Sequence, residues 1–363
     1  MQKIIEWMKT RPLVSFFILT LVLMYILFFL AIYLYQMDLA DQTLLQVLIL
    51  YISRLAVYSP VLAGMLVTRW TLPARDPVSA RKRWLTFGIV WLVALIISTL
   101  DLWRSNPDPT VRWVPMLIIS IPIAILPAFV FSSAFSRVTS LREYLSTLVH
   151  PRGHSVWYLV ALLTFPVIHL LGVAITNLVA GRPSLYNIHF NPGILSATLI
   201  TFASVFFYSG GVNEEGGWRG FAQRRLQANY SPLIANLFLW AYLVVWHIPN
   251  DIIQYREGGY LLVRIGIYPF ITILFGWVYN RTRGSILAPA LFHASMNSMN
   301  TLQTVIPGTD AGNVLLVLFA VFAILVDRMW KKLPSDHPAA YHALVLDDSQ
   351  SDRNPESSTS EPK

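Results

Sequence analysis

Apolar residues in this chain run in long blocks separated by short polar segments, and several blocks approach or exceed the roughly 20 residues that carry an α-helix across a bilayer. The first is Leu13 to Tyr35, followed by Leu44 to Val67, Trp84 to Leu102, Trp113 to Phe135 and Trp157 to Val179. A sixth runs from Leu195 past Gly210 and Gly211 to near Leu226. Leu233 to Asp251, Tyr260 to Tyr279, a weaker Ile286 to Ile306 and Asn313 to Trp330 complete the series. The pattern predicts an all-α fold, a polytopic transmembrane helical bundle of about ten spans. Pro115, Pro122 and Pro127 predict kinks in the fourth span, tolerable in a membrane helix when neighbours satisfy the freed carbonyls. The first block is longer than a signal-peptide core and reads as a retained span.

Composition agrees with the pattern: 55% of the 363 residues are hydrophobic and only 13% are charged. The net charge of +8 does not point to nucleic acid, because the excess Lys and Arg sit in the short segments between apolar blocks. Arg81, Lys82 and Arg83, then Arg137, Arg142 and Arg152, then Arg224 and Arg225, then Arg281 and Arg283 recur on alternate connections. That alternation orients the bundle and places both termini in the cytoplasm. The chain has no cysteine, so disulfide and thiolate chemistry are excluded. Its partners are expected to be membrane lipids, and its location a bacterial inner (plasma) membrane. Three portions are expected: amino-terminal membrane helices over residues 1–193, a membrane core over 194–332, and a polar, disordered cytoplasmic tail over 333–363. Short broken helices in two matching halves, the mark of many transporters, are not evident.

Against this apolar background a few polar residues stand out. Carboxylates inside a bilayer are expensive and commonly have a task, and Glu214 and Glu215 lie in the segment GGVNEEGGWRGFAQRRLQ. On a helix Glu215 and Arg219, four apart, face each other, while Glu214 points about 100° away. His247 lies in an apolar helix. His293 and Asn297 share one helical face, which Asn300 continues. Counted from Arg224 and Arg225, from Arg283 and from Pro232 as cytoplasmic markers, Glu214 and His293 are about 10 residues deep and His247 about 15, which are overlapping depths at roughly 1.5 Å per residue. A buried glutamate beside histidine can activate water, because desolvation brings carboxyl proton transfer into the neutral range. Donors from His293 and Asn297 can stabilise the oxyanion formed when water attacks a peptide carbonyl. Taken singly, each residue also fits a structural role: an ion-paired helix end, a carbonyl-bound histidine, or polar glue between helices.

The three motifs, in this order, resemble those of the CPBP family of intramembrane proteases. That family is also called the Abi or CAAX-protease family and includes Rce1-like CAAX prenyl endopeptidases. Its EExxxR motif is matched by Glu214, Glu215 and Arg219, and its HxxxN-type motif by His293 and Asn297. Its FxxxH motif is matched at His247, with Leu243 where the family has Phe. The likeness covers roughly Leu195 to Met299. It implies an intramembrane endopeptidase in which Glu214 and His247 activate water, His293 and Asn297 form the oxyanion site, and Glu215 braces Arg219. The substrate would be a membrane-associated or lipid-modified peptide or protein. Zinc bound by Glu214, His247 and His293 with one open position is an alternative. The metal-free mechanism is preferred, since an oxyanion role for His293 and Asn297 requires no metal. A nonenzymatic immunity or protein-binding relative of the same fold, and a transporter, are the competing readings.

Overall fold

The computed structural model describes residues 2–36, 42–72, 74–76, 78–106, 113–183, 192–254, 259–306 and 308–340. Most of the tail expected to be disordered, residues 341–363, lies outside them. The chain is all-helical. Its elements are α1 (Gln2–Thr10), α2 (Pro12–Tyr35), α3 (Gln42–Val57), α4 (Ser59–Thr71), α5 (Ala80–Ser105), α6 (Trp113–Ile123), α7 (Ile125–Ser133), α8 (Thr139–Val149) and α9 (Val156–Val179). They continue with α10 (Pro192–Tyr208), α11 (Val212–Glu215), a π-helix (Gly216–Gln223), α12 (Arg224–Asn229), α13 (Pro232–Gln254), α14 (Gly259–Gly266), α15 (Tyr268–Arg281), α16 (Leu287–Leu302) and α17 (Asp310–Val326).

The expected count of about ten spans is not met. Among the described residues six helices are long and apolar enough to cross a membrane, or seven if a bent pair counts as one. The bent pair is α3 and α4, which turn by 56° at Tyr58, just ahead of Pro60. Three expected spans fall short. Tyr260 to Tyr279 is divided into α14 and α15 at Ile267, where Pro269 in the first turn of α15 cannot donate back along a continuous helix. Ile286 to Ile306 yields the 16 residues of α16, interrupted by polar side chains, and Asn313 to Trp330 the 17 of α17. At about 1.5 Å per residue these reach roughly 25 Å, less than the hydrocarbon thickness of about 30 Å. In the fourth span, where the prolines predict kinks, the helix is irregular at one residue but runs on as a single 21-residue stretch, Trp113–Ser133. α6 gives way to α7 at Ala124, and Pro127 lacks the N–H that would bind the carbonyl of Ile123.

The long helices turn apolar side chains outward. Ile26 and Phe29 of α2, Ile89 and Leu92 of α5, and Leu159 and Leu163 of α9 are all exposed. Such belts suit lipid, and the molecule is an integral membrane protein. Its interior is knit across the chain. Phe16 of α2 stacks on Phe221 of the π-helix at 4.8 Å between ring centroids and meets Trp218 edge-on at 5.8 Å. Trp218 in turn meets Trp246 of α13 at 5.4 Å. A second core gathers Phe165 of α9, Phe275 of α15 and Phe292 of α16, with Leu316 of α17. Helix association in lipid depends on close van der Waals fit more than on hydrophobic transfer. Gly217 shows this: a Cβ there would strike the backbone of Pro60, so only glycine lets α4 lie against the π-helix.

Candidate active site

The site is built where two chain breaks meet. α10 ends at Tyr208, and Gly210 takes φ +129°, a backbone region that favours glycine. The Gly210 N–H donates to Asn213 Oδ1 at 3.0 Å, and Asn213 Nδ2 donates to the carbonyl of Val57 at 3.0 Å. Tyr58 at the α3–α4 bend donates its hydroxyl to the carbonyl of Phe207. Each break thus satisfies backbone groups that the other leaves open. The π-helix follows at once; such wide turns recur at functional sites because they re-aim side chains without ending the helix.

Glu214 and Glu215 are both buried. Glu214 Oε2 accepts from the indole N–H of Trp218 at 3.3 Å. Glu215 stands between two cations or donors. Its Oε2 lies 3.4 Å from Arg219 Nε, the i,i+4 contact expected from the sequence, and its Oε1 lies 2.8 Å from His293 Nδ1. The guanidinium of Arg219 also sits 5.1 Å from the ring centroid of Phe275. The link from Glu215 to His293 is new, and it gives His293 a fixed orientation: Nδ1 on the carboxylate and Nε2 toward Gly210. His247 places Nδ1 2.8 Å from the carbonyl of Leu243. A carbonyl only accepts, so Nδ1 carries the hydrogen, and in the neutral form of the ring Nε2 is the nitrogen that holds the lone pair. Asn297 Nδ2 donates to the carbonyl of Ser209 at 3.5 Å.

All six expected residues line one cavity of about 1000 Å³, together with Asn300. The sequence reading missed part of its wall. Arg54 and Ser53 of α3, and Met24, Phe28 and Ile32 of α2, also face it. So does Arg264 of α14, held by both carboxylate oxygens of Asp251. The visible signal was Arg54, a charge inside an apolar block. The zinc alternative does not fit the side chains as placed. Among the described residues no group of three or more His, Cys, Asp or Glu side chains stands close enough to hold a metal ion.

Residues 194–299 match the family described as type II CAAX prenyl endopeptidase Rce1-like. The chain is also similar to "CAAX prenyl protease 2" of Methanococcus maripaludis, 28% identical over 187 residues, which cover 47% of this chain and 68% of that protein. The matched stretch holds Glu214, Glu215, Arg219, His247, His293 and Asn297, and by it the chain is homologous, at low overall identity, to the Rce1-like CAAX protease family of the CPBP (Abi) superfamily.

Proposed function

We propose that the chain is an intramembrane endopeptidase that hydrolyses a peptide bond in a membrane-associated or lipid-modified substrate, with its cavity open toward the cytoplasm of a bacterial cell. The observation that carries this reading is the convergence of two carboxylates, two histidines and an asparagine on one cavity inside an apolar bundle. Glu214 and His247 take the proton of a water molecule as its oxygen attacks the scissile carbonyl carbon. The negative charge that develops on the carbonyl oxygen is met by the Asn297 amide and by His293 Nε2–H of the doubly protonated ring, whose Nδ1–H is held by Glu215. That proton then passes to the amide nitrogen, the C–N bond breaks to give an acid and an amine, and the acid's remaining proton moves to the amine, so that a carboxylate and an ammonium leave. Glu215 and Arg219 are positioning residues.

The test is cleavage of a membrane-peptide library by purified protein in nanodiscs. Glu214→Gln is expected to lower the rate by about 100-fold or more, the usual loss for a general base. Activity of the wild type is expected to survive rigorous chelation. Reversible loss on chelation would replace the Glu/His scheme by a metal-dependent one. Absence of cleavage by folded protein across the library would return the chain to a binding or immunity role.

A further inference from the structure

The cavity contains a cation that the proposed hydrolysis does not use. Arg54 lies in α3, well outside residues 194–299, is half-buried and lines the cavity. Its Nη1 donates to Ser209 Oγ and, at 3.5 Å, to the carbonyl of Tyr208, both neutral acceptors. Among the described residues no carboxylate forms an ion pair with it. Asp101, whose charge acts on Arg54 through space, is engaged elsewhere: it meets Arg104 at 3.0 Å and accepts from Ser204 Oγ at 2.7 Å. A cation kept within a membrane bundle with hydrogen bonds to neutral acceptors only is costly. Its remaining N–H groups form a planar fork that matches a carboxylate.

Place adds to charge. Ser209, which holds Arg54 through its hydroxyl, also accepts from Asn297 through its carbonyl. Arg54 is therefore anchored one residue's span from the amide assigned to the oxyanion. Along the same wall Met24, Phe28 and Ile32 are apolar, so Arg54 supplies a charge at the border between the greasy and the polar parts of the cavity. We propose that Arg54 is a specificity-determining residue that binds a carboxylate of the substrate peptide and so fixes which bond lies under Glu214. This rests on the peptidase reading for its catalytic consequence, but the carboxylate site itself can be read by binding alone.

The experiment uses the full chain in nanodiscs of zwitterionic lipid and two pairs of lipidated reporter peptides. One pair differs only in a free or amidated C terminus, the other only in Glu against Gln near the expected cleavage point. The wild type is expected to prefer the carboxylate member of one pair by about 10- to 100-fold in kcat/KM, the worth of a charged hydrogen bond, with most of the difference in KM. The pair that shows it identifies the source of the carboxylate. Arg54→Gln, which keeps a donor for Ser209, should bring the ratio close to one by lowering cleavage of the carboxylate member far more than that of the amide member; Arg54→Lys should keep part of the preference. The same peptides are measured for binding by displacement of a fluorescent analogue. If nothing is cleaved yet wild type binds the carboxylate member more tightly and Arg54→Gln does not, the hydrolytic reading fails and the site stands. Equal binding and cleavage of both members by the wild type would overturn the site. So would an equal fall for both members in Arg54→Gln, which is what a purely structural Arg54 predicts. Inhibition by added phosphatidylglycerol that vanishes in Arg54→Gln, without any peptide preference, would overturn it in favour of a lipid headgroup.

Discussion

Adjacent glutamates in one segment carry different loads. Glu215 joins Arg219 and His293, all three buried, and removing one partner of a buried pair commonly costs about 3–5 kcal/mol because the other charge is left unmatched. Glu214 has as its hydrogen-bond partner among the described residues the indole of Trp218. Glu215→Gln is therefore expected to destabilise the detergent-solubilised protein by about that amount, whereas Glu214→Gln keeps its melting temperature within a few degrees and loses cleavage. A paired thermal and activity measurement separates the two, and an equal loss of stability in both variants would sink the division of roles. Gly210 is the second sensitive residue. A Cβ at that position would fall on the imidazole of His293, and its φ of +129° already disfavours a side chain. Gly210→Ala should cost about 1–3 kcal/mol in strain and displace His293, so cleavage should drop more than the melting temperature alone explains.

Between residue and bundle, connections decide how the helices meet. The segment after α4 is clasped to the start of α8: Asp76 N–H donates to the carbonyl of Arg137 at 3.0 Å, Thr139 N–H to that of Ala74 at 3.1 Å, and Arg142 pairs with the Asp76 carboxylate. The Arg142 hydrogen bond holds the Asp76 carboxyl below its ordinary range. Its stabilising contribution is thus complete above the unfolded carboxylate value of about 4 and is lost as pH falls through the lower folded value. Protection of the Asp76 and Thr139 amides from hydrogen exchange should fall over that acidic window in wild type. In Asp76→Asn it should be lower throughout and insensitive to pH there. Elements of this kind show what a sequence exposes. Uninterrupted apolar blocks gave α2, α5 and α9 to within a few residues, and the i,i+4 spacing gave the Glu215–Arg219 contact, because both depend on neighbours in the chain. The bend at Tyr58 and the Glu215–His293 contact were not legible. They are set by partners 149 and 78 residues away, at Phe207 and across to α16. The short α16 reads as a span in sequence because its apolar residues outweigh its polar ones, yet His293 and Asn297 line the cavity and need no lipid contact.

At the scale of the whole molecule, the family match begins at residue 194 but the packing does not. Phe16, Tyr58 and Val61 share one core with Val212, Trp218, Phe221 and Trp246, and α2 and α3 supply one wall of the cavity. Tyr25 and Tyr242 reinforce the seam, donating to the carbonyls of Val245 at 2.7 Å and Phe17 at 2.6 Å. Residues 194–363 alone would leave Trp218 and Phe221 facing lipid on the side that Phe16 covers, with Arg219 and Glu215 beside an unsealed cavity. That fragment is expected to insert but to run as a polydisperse species without cleavage activity. Because inserted helices associate by surface fit after each has formed its own backbone bonds, co-expression of residues 1–193 and 194–363 as separate chains should restore a monodisperse complex and most of the activity. Size-exclusion chromatography with the peptide assay reads both. Wild-type cleavage by 194–363 alone would show that the amino-terminal helices are dispensable to the reaction. Recovery with 1–193 carrying Phe16→Ala, weaker than with the native piece, would place the dependence on the aromatic seam and not on membrane insertion.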